Sequence, residues 1–252
     1  MKQNALILIP ARFGSSRFPG KPIAKILDKP MIIWVYEGAY KVISKFPNSK
    51  VVIVTDDQRI EDVCREWGKD VVRVDDDVSS GSERIQLAYE RYYKDENFDL
   101  VINVQGDEPL VEENLLSELI SFHLNSDYDV ATVVKEISGD QDQKNNPNKV
   151  KAIFNKDSGK CHYFSRAPVP FDRDGKGGVP WYLHIGVYSY RPNILKKFCS
   201  LSQSLHEQFE CLEQLRLLDN GMSIGAVTSD VKLLGVDTPE DIVHVEEVLN
   251  GK

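Results

Sequence analysis

Ala5-Leu6-Ile7-Leu8-Ile9, running into Pro10-Ala11-Arg12-Phe13-Gly14-Ser15-Ser16-Arg17-Phe18-Pro19-Gly20-Lys21-Pro22, is the stretch on which the fold turns. Five apolar residues in a row, with no polar alternation, describe a strand covered on both faces, the kind that belongs to parallel sheets flanked by helices. The run breaks at Pro10 into a loop that carries Arg12, Arg17 and Lys21. Glycines let backbone N–H groups approach an oxyanion, and Arg with Lys can neutralise and orient a polyphosphate. A solvated turn with incidental charges is the competing reading of this segment alone. Neither common nucleotide fingerprint is present. Five residues, not four, separate Gly14 from Gly20, Pro22 stands where a phosphate-binding loop needs Ser or Thr, and G-x-G-x-x-G is absent.

Working outward, strand and helix patterns alternate. A largely apolar helix follows Pro30, a strand covers Val51 to Val54, and Asp56 or Asp57 can cap a helix through Ile60, Val63, Cys64 and Trp67 that stops at Gly68. Val71 to Val74 is a third strand. Ser82 can cap the next helix, with Ile85, Ala88, Tyr89 and Tyr92 on one face. Leu100 to Val104, Glu112 to Leu124 and Val130 to Val134 continue the series as strand, helix and strand. This order predicts a three-layer α/β fold with a mixed, mostly parallel sheet and right-handed crossovers. After the polar stretch Ser138 to Asn148, strand-like segments at Val150 to Phe154, Cys161 to Ser165 and Leu183 to Tyr190 predict a smaller β-rich lobe, at about 138–200 of a single domain over 1–252. A helix over Leu205 to Leu218, a strand over Ser223 to Val227 and a capped helix from Thr238 complete the expectation.

With 252 residues, 41% hydrophobic and 28% charged, the chain has ordinary globular composition and needs no staples. The net charge of −8 is scattered, which argues against a nucleic-acid partner, and no apolar run reaches the ~20 residues of a membrane span. A cytoplasmic location is expected. Cys64, Cys161, Cys199 and Cys211 fit no zinc spacing and are expected to be reduced.

Several further segments carry candidate chemistry. Ser80-Gly81-Ser82-Glu83-Arg84 marks a loop-to-helix junction, which either caps the helix or sets hydroxyl and backbone groups against a base or ribose. Gln105-Gly106-Asp107 follows a buried strand, where open α/β sheets bind ligands, and a carboxylate there suits Mg²⁺. Asp237, before Thr238-Pro239, is either a second metal ligand or a turn residue. Asp75-Asp76-Asp77 could mimic an acidic metal motif or be a solvated turn. Arg166 and His184 offer a cation and an imidazole suited to an anionic hydroxylated substrate, although a lone His beside a strand is more often a core residue. Glu210, Glu213 and Gln214 share one helix side, beside a stripe of Cys211, Leu215 and Leu218.

In order along nearly the whole chain, IPARFGSSRFPGKP (Ile9 to Pro22), SGSER (Ser80 to Arg84), NVQGDEP (Asn103 to Pro109), NPNKVK (Asn146 to Lys151), YFSRA (Tyr163 to Ala167), HIGVYSYR (His184 to Arg191), LEQLR (Leu212 to Arg216) and GVDTPED (Gly235 to Asp241) resemble the 3-deoxy-manno-octulosonate (Kdo) cytidylyltransferase family. The resemblance implies a Rossmann-like nucleotidyltransferase fold whose β-rich lobe commonly mediates homodimers. It also implies a reaction in which the anomeric hydroxyl of a 2-keto sugar acid attacks the α-phosphate of CTP. By resemblance, Arg12, Arg17 and Lys21 hold the triphosphate, and Gly14, Ser15 and Ser16 belong with them to the nucleotide-binding residues. Ser80, Gly81, Ser82, Arg84, Gln105 and Gly106 meet the nucleotide, and Asp107 and Asp237 carry magnesium. Gln105, Arg166, His184, Glu210 and Gln214 line the sugar-acid pocket. Members often have His two residues before the Ser-Gly pair, where this chain has Val78. An 8-amino relative of Kdo is the alternative substrate. A phosphate-loop kinase, or a nucleotide-binding module without catalysis, is the more distant alternative.

Overall fold

The computed structural model describes residues 3–14, 17–137, 141–175, 177–231 and 234–251. The chain forms two compact units, one of residues 1–117 with 232–252 and the other of 118–231.

In the first unit, β1 (Ala5–Ala11) is buried along all seven residues, as its uninterrupted apolar run requires. Each fully buried Leu or Ile contributes about 1.5–3 kcal/mol. A small hairpin, β2 (Lys25–Ile26) with β3 (Lys29–Pro30), leads into α1 (Met31–Tyr40), for which Pro30 is the N-cap. Strands β4 (Lys50–Thr55), β5 (Val71–Arg73) and β6 (Leu100–Asn103) join β1 in the order β5-β4-β1-β6, all parallel. Between them run α2 (Gln58–Glu66) and α3 (Gly81–Ala88), and α4 (Glu113–Leu124) follows β6. Asp57 caps α2, accepting from Arg59 N at 2.9 Å. The cap of α3 is Ser80 rather than the expected Ser82. The Ser80 hydroxyl accepts from Glu83 N at 3.2 Å, while the Glu83 carboxylate takes Ser79 N at 2.9 Å, so the two ends of the turn hold each other. Tyr92 is also not on the buried face with Ile85 and Ala88. A π-helical turn over Tyr89–Tyr93 adds a residue to the repeat and rotates Tyr92 outward, where it is 48% exposed.

In the second unit, β7 (Val130–Ile137) is followed by the short α5 (Gln141–Asn145), inside the polar stretch Ser138 to Asn148. Then come β8 (Lys151–Asn155), β9 (Lys160–Ser165) and β10 (Trp181–Tyr190). A helix that sequence reading passed over, α6 (Pro192–Ser200), starts with Pro in its first turn and buries Ile194, Leu195 and Phe198. The helix expected over Leu205 to Leu218 is two helices, α7 (Leu205–Glu210) and α8 (Gln214–Asp219), broken at Cys211 with φ 51°. Arg216 forms a buried ion pair with Glu207, nine residues earlier. In one continuous helix those residues would be about 13 Å apart along the axis, so the break is what allows the pairing. β11 (Ile224–Thr228) closes the series. The pairings run β10-β7-β11-β9-β8 and return from β8 to β10, parallel only between β7 and β11.

The chain returns to the first unit with α9 (Pro239–Leu249), entered through a capping box between Thr238 and Asp241. Val236 and Val245 pack with Ile26 and Met31 in a minor core, flanked by Phe18, Trp34 and Ile242.

His123, on α4, is sealed in the second unit between Ser189 Oγ at 2.6 Å and the Tyr128 carbonyl at 3.0 Å, and burial pushes its pKa down to about 4. A folded value below the ordinary ~6.5 means that the unfolded chain binds the proton first. The stabilisation is therefore complete above about pH 6.5 and is lost as pH falls toward 4. The denaturation midpoint is expected to drop across that window, with a smaller drop in His123→Gln; equal slopes in the two proteins would contradict it.

Candidate active site

The four parallel strands of the first unit end at one edge, and the loops beyond them enclose a cleft of about 350 Å³. This is the position where open α/β sheets take ligands. The loop after β1 lines it with Arg12, Gly14, Arg17 and Lys21, the start of α3 with Gly81, the loop after β6 with Gln105, Gly106 and Asp107, and the turn before α9 with Asp237. Ser15 and Ser16 lie outside the described residues.

Local causes place each group. The cationic loop folds back on itself through Gly20 N to Phe13 O at 3.0 Å, and Gly20 turns at φ 73° directly against the Phe13 ring. The Arg59 guanidinium stacks over the same Phe13 ring, 3.3 Å from its centroid, while its Nε and Nη2 donate to the two oxygens of Asp57. Gly106 lies so close to β1 that a Cβ would come 2.6 Å from the Pro10 carbonyl, so only glycine admits this approach. Val236 N donates to the Asp107 carbonyl at 2.9 Å and fixes one acidic turn upon the other.

Lys21 is the centre of the cleft's electrostatics. Its Nζ is 2.6 Å from Asp107 Oδ2, 2.7 Å from the Val236 carbonyl and 3.6 Å from Asp237 Oδ1. The two carboxylate oxygens are therefore within about 6 Å of each other, the sum of two of those distances. Arg17 grips Asp237 with two bonds, at 3.0 and 3.2 Å. Two carboxylates converging on one positive centre are a donor set that a small, hard divalent cation accepts, with water and phosphate oxygens completing its shell. Among the described residues no group of three or more His, Cys, Asp and Glu side chains could hold a metal ion.

Ser80 and Arg84 do not line this cleft. Ser80 is engaged as the α3 cap, and Arg84 is buried, donating to the Val74 carbonyl and lying 3.1 Å from Asp56 Oδ2. Burial depresses the Arg84 pKa, with Asp56 opposing. Ser82 is likewise buried in the first turn of α3. Asp75, Asp76 and Asp77 are not among the cleft residues either, and Asp76 pairs with Arg91 at 2.6 Å.

Arg166, His184, Glu210 and Gln214 belong to the second unit. Cross-strand register aligns Leu183, Lys151 and Ser165, which sets His184 and Arg166 one residue beyond. Glu210 accepts from Ser165 Oγ at 2.6 Å and from Arg166 N at 2.8 Å. The Arg166 guanidinium donates to the carbonyls of Glu210 (2.7 Å), Pro147 (3.0 Å) and Cys211 (3.4 Å). His184 Nε2 is 3.0 Å from Thr132 Oγ1, with its ring against Phe164 and Tyr188, and burial drives its pKa down to about 3. It is therefore a neutral hydrogen-bonding group. Gln214 is buried, not on a solvated face, and its Nε2 has no hydrogen-bond partner among the described residues. The exposed Cys211 is not part of an apolar stripe with Leu215.

Sequence reading missed Lys151, fully buried with its Nζ on three carbonyls, and the pair of Asp56 with Arg84. Lys151 was visible only as the last residue of NPNKVK. Nothing in its neighbours signals a buried charge.

A family model described as cytidylyltransferase matches residues 6–224. A 3-deoxy-manno-octulosonate cytidylyltransferase of Thermodesulfovibrio yellowstonii is 40% identical, over 97% of this chain and 98% of its own. One from Porphyromonas gingivalis is 39% identical, over 96% and 95%. Among solved structures, a CMP:2-keto-3-deoxy-manno-octonic acid synthetase complexed with CTP superposes with a TM-score of 0.89 at 34% identity, covering 99% of both chains. A 4-diphosphocytidyl-2C-methyl-D-erythritol synthase of Anaerococcus prevotii, 14% identical with a TM-score of 0.62, shares the fold alone. Full-length identity at this level, together with the family match, makes the chain a nucleotidyltransferase and a member of the 3-deoxy-manno-octulosonate cytidylyltransferase family.

Proposed function

We propose that the protein transfers CMP from CTP to the anomeric hydroxyl of Kdo, giving CMP-Kdo and pyrophosphate for lipopolysaccharide synthesis. The hydroxyl oxygen forms a bond to the α-phosphorus, the bond to the bridging oxygen breaks, pyrophosphate departs with the electron pair, and the hydroxyl proton is released to solvent water. Such a reaction needs charge neutralisation and in-line positioning more than a protein nucleophile. The observation that carries this reading is the convergence of Asp107 and Asp237 on Lys21, beside Arg12 and Arg17, in one cleft.

In this reading Arg12, Arg17 and Lys21 neutralise the triphosphate, Gly14, Gly81 and Gly106 let the nucleotide approach the backbone, and Gln105 orients it. Asp107 and Asp237 hold Mg²⁺. When bound, the ion supplies Lewis acidity at the phosphoryl oxygens and lowers the cost of deprotonating the attacking hydroxyl. Arg166, His184, Glu210 and Gln214 receive the sugar acid, with His184 as a neutral donor or acceptor. Ser80 and Arg84 act from beneath the nucleotide loop. A three-layer, Rossmann-like arrangement and a cytoplasmic homodimer belong to the same reading. No described helix is long and apolar enough to cross a membrane, and Leu205 and Phe209, one turn apart on α7, are 69% and 87% exposed, which suits a partner surface.

The test is product identification by mass spectrometry from CTP and Mg²⁺ with Kdo and 8-amino-Kdo offered together. A CMP-Kdo product with one pyrophosphate per turnover is expected. Exclusive use of the 8-amino sugar would move the substrate assignment, and turnover of neutral sugar phosphates alone would overturn it.

A further inference from the structure

Lys151 is among the largest side chains with no solvent exposure, and its ammonium forms no ion pair among the described residues. Its Nζ instead lies within hydrogen-bond distance of the carbonyls of Asn146 (3.0 Å), Lys149 (2.7 Å) and Arg166. Three carbonyl oxygens use all three N–H groups of a protonated amine, whereas a neutral amine would leave one carbonyl facing a lone pair. The geometry therefore calls for the charged form, although burial lowers the pKa. An ammonium sealed away from water is expensive, and lysines are rarely buried without a carboxylate partner.

The charged groups that act on Lys151 are Glu210, which stabilises its charge, and Arg166, which opposes it. Glu210 is itself held by Ser165 and the Arg166 amide. Two cations and one carboxylate leave this knot with a net charge of +1, and of the three the Lys151 side chain is the one closed to solvent. Without Lys151, Arg166 and Glu210 would cancel.

We infer that Lys151 is a positioning residue that supplies the uncancelled positive charge of the sugar-acid site, making it selective for a monoanionic carboxylate while fixing the Arg166 backbone. This rests on the reading that Arg166 and Glu210 meet the sugar acid. The ammonium does not touch substrate; it acts through the Arg166 carbonyl and through its field in a low-dielectric interior.

The experiment compares wild type with Lys151→Met and Lys151→Gln in the pyrophosphate-release assay, measuring KM for Kdo, KM for CTP and the inhibition constant of the Kdo methyl ester. Both substitutions remove the charge at similar length, and Gln keeps two donors for the carbonyls. Expected are a KM for the acid raised at least tenfold, with CTP and the uncharged ester each moved less than twofold. A merely structural role would weaken acid and ester together, and that outcome, or no change in either, overturns the inference. Wild type gives a check that requires no variant. A buried charge resists screening, so the preference for acid over ester should persist from about 0.05 to about 0.5 M salt, over which the Debye length shortens roughly threefold. Its collapse would assign the selectivity to exposed cations and also overturn the inference. If wild type turns over no 2-keto sugar acid, the proposed function fails instead, so the two failures are distinguishable.

Discussion

Asp107→Asn is expected to lower kcat by on the order of 10²–10³, comparable to deleting one preorganised electrostatic group from a transition state. The amide keeps the size of the side chain but removes the charge that a divalent cation requires. The backbone bond from Val236 N to the Asp107 carbonyl is untouched, so the acidic turns should stay joined. Asp237→Asn should act in the same direction and less steeply, because Asp237 is 52% exposed against 33% for Asp107 and can be replaced in part by water. The checks are pyrophosphate release across a Mg²⁺ titration and a thermal melt. Rates within a few-fold of wild type in both variants would reject the metal assignment. Melts shifted by many degrees would make the rates uninterpretable as chemistry, and a Glu substitution at each position would then separate charge from shape.

Lys21→Ala should have the second large effect, a loss of about 10³ in kcat/KM for CTP. Lys21 is only 13% exposed and sits among three oxygen atoms, so its position is set on every side, whereas Arg17 is 66% exposed with a single carboxylate partner. Arg17→Ala is accordingly expected to cost roughly tenfold, in the range of an exposed pair. Lys21→Arg should recover little, since a planar fork does not reproduce a compact ammonium among those acceptors. Measured kcat/KM values that reverse the order of Lys21 and Arg17 would contradict the assignment.

The first unit was largely legible because its signals are local. An all-apolar pentapeptide, a cationic loop, and acidic residues at strand ends each name their place within a few positions. Where reading failed, the causes were of different kinds. The break at Cys211 depends on Arg216 reaching back to Glu207, and the outward turn of Tyr92 on a single extra residue in the helical repeat. The helix Pro192–Ser200 was an avoidable miss, since Pro in the first turn followed by Ile194, Leu195 and Phe198 is a recognisable pattern. In the candidate site, residue types identified Asp107, Asp237 and Lys21 but not that both carboxylates take Lys21 as their common partner, because convergence is a property of the fold. Lys151 was beyond sequence reasoning: nothing distinguishes a lysine that will be enclosed by carbonyls from one that will be solvated. Arg84 was visible as a motif member, yet its inward direction follows from the ends of two neighbouring strands, where Val74 and Asp56 wait for it.

Arg17 and Asp237 are separated by 220 positions, and the minor core of Ile26, Met31, Val236 and Val245 holds the two ends of the chain to each other. Every parallel strand of the first unit is already synthesised when residue 117 leaves the ribosome, but the second carboxylate arrives only after another whole unit has been made. Loop closure over that span is entropically the most demanding step available to the chain. A nascent or truncated polypeptide can thus own all four parallel strands β5-β4-β1-β6 and still lack Asp237. If Asp237 serves the site as proposed, a chain that stops before it should bind no Mg²⁺ in the cleft.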